Sequence, residues 1–144
     1  PNSVPYQVFR CADGALMIAA GNDKLFAALC GVLELPELVT DPRFATNRAR
    51  VQHRQALIPL LQAKVERLSM AQCLEKISAA SIPCGPMHDL DQVLQHEQTR
   101  ALGILQTTPN GQVTTMGLPI SFDGQRPALA GNGPALGAHD DLLP

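Results

Sequence analysis

Two short stretches near the start, Tyr6 to Cys11 and Ala15 to Ala20, are apolar or β-prone, and Asp13-Gly14 lies between them. That pattern predicts a β-hairpin turning on a two-residue Asp-Gly loop. Downstream, Leu25, Phe26, Leu29, Cys30 and Leu33 share one helical stripe, with Asn22 or Asp23 placed to cap its start. Leu35-Pro36-Glu37-Leu38 predicts a short turn of helix, and Asp41-Pro42 blocks continuation because proline disfavours the α region in the residue before it. A second helix is expected from Thr46 or Asn47. It carries Arg48, Arg50, His53 and Arg54 in its first half and Leu57, Leu60, Leu61, Val65 and Leu68 at core spacing in its second, with Pro59 expected to kink or divide it.

Ser69 can cap a third helix in which Met70, Leu74 and Ile77 recur at i, i+4 and i+7, and Ser81-Ile82-Pro83 ends it. Cys84 to Met87 reads as extended. Asp89 or Asp91 opens a fourth helix with Leu90, Val93 and Leu94 on one face, running to about Leu102 with a break near His96. A second hairpin is predicted where Ile104–Thr108 and Gln112–Met116 flank Pro109-Asn110-Gly111. From Asp123 to Pro144 the composition turns to Gly, Pro, Ala and Asn with neither period, which reads as a linker or tail that is poorly ordered without a partner surface. The fold class expected is α+β: two β-hairpins and about four helices over residues 1–122, then an irregular segment over 123–144.

A chain of 144 residues, 45% hydrophobic and 17% charged, suits a soluble globular domain rather than a disordered one. The net charge of −2 advertises no nucleic-acid or anionic-membrane partner, and aromatic content of 3% without Trp removes stacking platforms for single strands. Apolar runs fall far short of the ~20 residues that span a bilayer, so a cytoplasmic location is expected. Cys11, Cys30, Cys73 and Cys84 are scattered, which favours reduced, buried thiols. The opening Pro-Asn-Ser-Val-Pro lacks an initiator Met and leads straight into a strand, as in a piece cut from a longer protein.

Grouped chemistry is scarce. His53, His88, His96 and His139 lie far apart, no CxxC or HExxH occurs, and Gly85-Pro86 keeps Cys84 and His88 off a common helical face, so no metal site is expected. Gly21-Asn22-Asp23, between a strand and a helix, offers backbone N–H groups to an anion, although a plain helix cap accounts for the same residues. Arg43, Arg48, Arg50 and Arg54 are expected on a solvated face, with a ligand phosphate as the sharper alternative.

The order of motifs closely resembles the C-terminal part of family III CoA-transferases, the CaiB/BaiF type that includes formyl-CoA transferase. The matching segments are Pro5-Tyr6, Phe9 to Gly14, Gly21-Asn22-Asp23 with Phe26, Pro36-Glu37-Leu38 and Asp41 to Phe44. Further along are Thr46-Asn47 with Arg50, Ile82 to Pro86, Gly117 to Ile120, and Leu136-Gly137 with His139. The resemblance implies a small domain over residues 1–122 and, over 123–144, a linker returning to a Rossmann-like large domain outside this chain. It implies acyl-CoA and a carboxylic acid as substrates met through that large domain, no covalently bound cofactor, and an interlocked homodimer of ring-shaped subunits. An Asp of the large domain forms a mixed anhydride and then an aspartyl-CoA thioester; no residue here matches it, so this chain alone is expected to be inactive. The family's final helical stretch after the Gly-x-His motif is also missing here.

A racemase branch of the same family typically carries a Glu-Pro pair before the aromatic at the Gly21-Asn22-Asp23 position, whereas the segment here, Asn22-Asp23-Lys24-Leu25-Phe26, resembles the transferase pattern. Gly21, Asn22 and Asp23 are therefore expected to neighbour the substrate, with no catalytic and no metal-ligating residue in the chain. The glycine-rich lid of some transferases is replaced by Arg10-Cys11-Ala12-Asp13. A stand-alone binding or dimerisation module that reuses this fold is the rival reading.

Overall fold

The computed structural model describes residues 2–142. Its fold is α+β, with one three-stranded and one two-stranded antiparallel sheet and seven α-helices among the described residues. Two compact units meet in the chain between Met87 and His88.

The first unit opens with the expected hairpin, β1 (Tyr6–Arg10) and β2 (Ala15–Ala19). Phe9 faces Leu16 across it and both are buried, as is Ile18 two residues on, so one face of the sheet feeds the core. The turn differs from expectation. Arg10 pairs with Ala15, leaving a four-residue loop closed by Cys11 N–H donating to Gly14 C=O at 2.8 Å. Asp13 is drawn away to accept from the Met70 N–H at 2.7 Å, a tertiary bond that a two-residue turn would not permit. β3 (Cys84–Pro86), anticipated only as extended chain, pairs with the other side of β2 and makes it the central strand. At the edge strand β1, the Gln62 side-chain amide donates to Arg10 C=O and accepts from Arg10 N–H, blunting the unpaired edge.

Helix α1 (Asp23–Val32) is capped by Asn22, and α2 (Glu37–Thr40) is the expected single turn. The second predicted helix is divided into α3 (Asn47–Gln52) and α4 (Arg54–Val65), but at His53; Pro59 sits inside α4. Gln55 and Pro59 are both exposed, so the carbonyl that Pro59 leaves without a helical donor lies on the solvent side, where water can serve it. Ser69 caps α5 (Met70–Ala79) with Gln72 completing a capping box. The strands' inward residues, together with Phe26, Leu29 and Cys30 of α1, Leu57, Leu61 and Val65 of α4, and Cys73 and Ile77 of α5, form one core. At ~25 cal/mol per Å2 each fully buried Leu or Phe contributes about 2 kcal/mol before entropy is counted.

The second unit holds α6 (Leu90–Gln95), capped by Asp89 with Gln92, then α7 (Glu97–Ala101) after the expected break at His96. Its hairpin pairs β4 (Leu105–Thr107) with β5 (Thr114–Met116) around a turn in which Gly111 takes φ 73°, the left-handed region where glycine is favoured. Seven helices thus correspond to the four expected because two are broken and the short α2 is counted. None of the described helices is long and apolar enough to cross a membrane.

The most consequential departure is Arg50. Expected on a solvated face, it is fully buried. Its guanidinium donates to Val4 C=O (2.7 Å), Phe44 C=O (2.9 Å), Gly21 C=O (2.9 Å) and Asp23 Oδ1 (2.8 Å), and lies 4.4 Å over the Phe26 ring. Methionine at this position fills similar volume but leaves three main-chain acceptors without a donor, so Arg50→Met should cost about 3–5 kcal/mol in a urea titration. Asp23→Asn, at a side chain 60% exposed, should cost under about 1 kcal/mol.

Burial, helped by the neighbouring Cys11 thiol, pushes Cys73 up to about 12, and burial pushes Cys30 to about 11, against an ordinary thiol value of 9.0. Because the folded values are raised, the stability these neutral thiols contribute is complete below about pH 9 and is lost as pH climbs towards 11–12. The urea midpoint should therefore fall across that window, and Cys30→Ala together with Cys73→Ala should flatten the fall.

Candidate functional site

Gly21, Asn22 and Asp23 form the junction between β2 and α1. Glycine gives Ser3 room at 21, since a Cβ there would lie 1.6 Å from Ser3 Oγ and 2.9 Å from Ser3 Cβ and would force that side chain to move. Asn22 has extended backbone (φ −84°, ψ 162°) and its Oδ1 accepts from Leu25 N–H at 2.8 Å, the geometry of a helix N-cap. The cap reading of Asn22 therefore holds. Asp23 is oriented by Arg50, whose Nη2 donates both to its carboxylate and to the Gly21 carbonyl, so a single buried cation ties the three-residue junction down. Sequence reasoning missed that role, although the spacing carried a signal: Arg50 stands seven residues before Leu57 and eleven before Leu61, in phase with the core stripe.

An open pocket of about 490 Å3 lies against this junction, lined by Asn22, Asp23, Lys24, Leu25 and Ala28 on one side and Ala80 and Ser81 on the other. The start of a ten-residue helix favours a negative group, while the Asp23 carboxylate opposes one and Lys24 supports it. Such a surface can orient a polar group.

The other sequence candidates go to separate places. Arg43 binds Asp41 at 2.6 Å and holds that carboxyl below its ordinary range, chiefly through their side-chain hydrogen bonds. Arg54 donates to Gln7 Oε1 at 2.6 Å and Arg50 points into the core, so of the four arginines Arg43, paired with Asp41, and Arg48 are the exposed ones. A smaller pocket of about 160 Å3 is ringed by Lys64, Arg67 and Lys76. Lys64 and Lys76 occupy the last turns of α4 and α5, where cations complement the helix dipoles, and this structural role accounts for them. His88 and His96 have ring centroids 5.3 Å apart, and among the described residues no three metal-ligating side chains gather.

Comparison with known proteins places this architecture. The family model described as CoA-transferase family III matches residues 1–140. Succinyl-CoA:glutarate CoA-transferase of Mus musculus is 34% identical over 139 residues, covering 94% of this chain and 32% of that protein. Acetyl-CoA:oxalate CoA-transferase of Acetobacter aceti is 36% identical over 124 residues, covering 86% of this chain and 31% of that protein. The crystal structure of a CAIB/BAIF family protein from Brucella suis superposes with a TM-score of 0.79 at 34% identity, over 99% of this chain and 37% of that one. The chain spans about a third of the length of these curated relatives. With the family model matched along nearly the whole chain, and relatives more than 30% identical, the chain belongs to CoA-transferase family III.

Proposed function

We propose that this chain is the C-terminal, small-domain part of an enzyme that moves coenzyme A from an acyl-CoA donor to a carboxylic acid. Residues 1–122 are the small domain and 123–144 the return linker, with the boundary of compactness at Met87 and His88 lying inside the former. The observation that carries the reading is the family match over residues 1–140, with relatives named for transfer between acyl-CoA and the dicarboxylic acids glutarate and oxalate. The catalytic Asp lies outside this chain, and the reaction passes covalently through an aspartyl-CoA thioester. Gly21, Asn22 and Asp23 neighbour the acceptor side of that site and position rather than react. Asn22-Asp23 in place of a Glu-Pro pair supports transfer over racemisation. The working assembly is an interlocked homodimer.

The test uses the intact protein that carries this chain. Given succinyl-CoA and then glutarate or oxalate, it should form the new acyl-CoA, and borohydride quenching before the acceptor is added should leave a reduced Asp outside residues 1–144. A reduced carboxylate within these residues, or transfer by residues 1–144 alone, would overturn the placement. Asp23→Asn should lower kcat/KM for the acceptor by about 10-fold, the scale of one lost orienting contact, with the urea midpoint little changed.

A further inference from the structure

Cys11 and Cys73 are brought together from positions 62 residues apart, their sulfur atoms 3.7 Å from one another in the core of the first unit. Cys11 belongs to the four-residue loop of the first hairpin and Cys73 to α5. The same loop is already held to that region by Ala12 N–H donating to Leu68 C=O (2.9 Å) and by the Asp13–Met70 bond. Bringing sulfurs from 3.7 Å to the ~2.05 Å of a disulfide needs well under 2 Å of closure.

We infer that Cys11 and Cys73 are a dithiol site that a hydroperoxide converts to a disulfide, stapling the hairpin loop to α5. The two sulfurs have distinct parts. Cys11 keeps 9% of its surface, while Cys73 has none, so the oxidant meets Cys11 first. The Cys73 S–H can also donate to a Cys11 thiolate, which eases ionisation at Cys11 against the upward push of burial. In the first step the Cys11 thiolate attacks a peroxide oxygen, an S–O bond forms, the O–O bond breaks, and hydroxide (or alkoxide) leaves. The Cys73 sulfur then attacks the sulfenic sulfur, S–S forms, S–O breaks, and the departing oxygen takes the Cys73 proton to leave as water. Two thiols lose two electrons and the peroxide gains them. Neither other cysteine is arranged this way: Cys30 has no sulfur partner among the described residues, and Cys84 contacts the Ser78 hydroxyl at 3.5 Å. Burial makes the reaction slow. It is a response to sustained oxidant, in contrast to the fast signalling of an exposed low-pKa thiol.

Each cysteine falls in a different tryptic peptide, Cys11 in 11–24, Cys30 in 25–43, Cys73 in 68–76 and Cys84 in 77–100, so one map distinguishes every pairing. The intact folded protein is treated with hydrogen peroxide, alkylated while unfolded, and mapped without reductant. The expected product links 11–24 to 68–76 and is reversed by dithiothreitol, with slower amide exchange in the Cys11–Gly14 loop. In Cys73→Ala, dimedone should trap Cys11 as the sulfenic acid. As that variant removes a core sulfur, the wild-type map stands as the primary readout. Oxidation confined to Cys84 or Cys30, with Cys11 and Cys73 recovered as alkylated thiols, would overturn the inference.

Discussion

A guanidinium cannot be taken out of water without finding acceptors for its donors, and Arg50 finds four of them in three separate stretches of chain. Val4 precedes β1, Gly21 and Asp23 join β2 to α1, and Phe44 precedes α3. Because the fork of donors is planar and rigid, those segments must arrive at set distances and angles. The first hairpin is thereby anchored at the end opposite its loop, and the start of α1 is held before any hydrophobic packing is considered. The Phe26 ring beneath the cation completes the cage and couples it to the core.

That arrangement makes the Gly21-Asn22-Asp23 junction rigid. Asn22 is occupied as a cap, the Gly21 carbonyl is occupied by Arg50, and Asp23 keeps one side of its carboxylate toward solvent while the other is neutralised. A surface of this kind presents a fixed shape at little entropic cost when something binds.

Periodicity revealed the elements because most of them obey local rules. Asn22, Ser69 and Asp89 cap where their side chains reach the helix start, and Pro109-Asn110-Gly111 turns because Gly111 can take positive φ. Most of the failures were tertiary. Asp13-Gly14 looked like a tight turn until the Met70 N–H claimed the Asp13 carboxylate, and the helix expected to yield at Pro59 yielded at His53 instead. Arg50 was assigned to solvent on the base rate for arginine, although its phase with Leu57 and Leu61 already argued otherwise. The pairing of Cys84–Pro86 with β2 joins residues about 70 apart in the chain, and no local pattern encodes such a contact.

The candidate site was legible in a different way. The order of short motifs located Gly21-Asn22-Asp23 without explaining it, since each residue has a local structural reason to be there: close approach to Ser3, capping of α1, and pairing with Arg50. Structural reasons account for all three residues, and candidates for binding are found by asking which groups remain free once the fold is satisfied. The outward half of the Asp23 carboxylate, the Lys24 ammonium and the Ser81 hydroxyl qualify, all on one open pocket. Groups of this kind can orient a polar ligand held in that pocket.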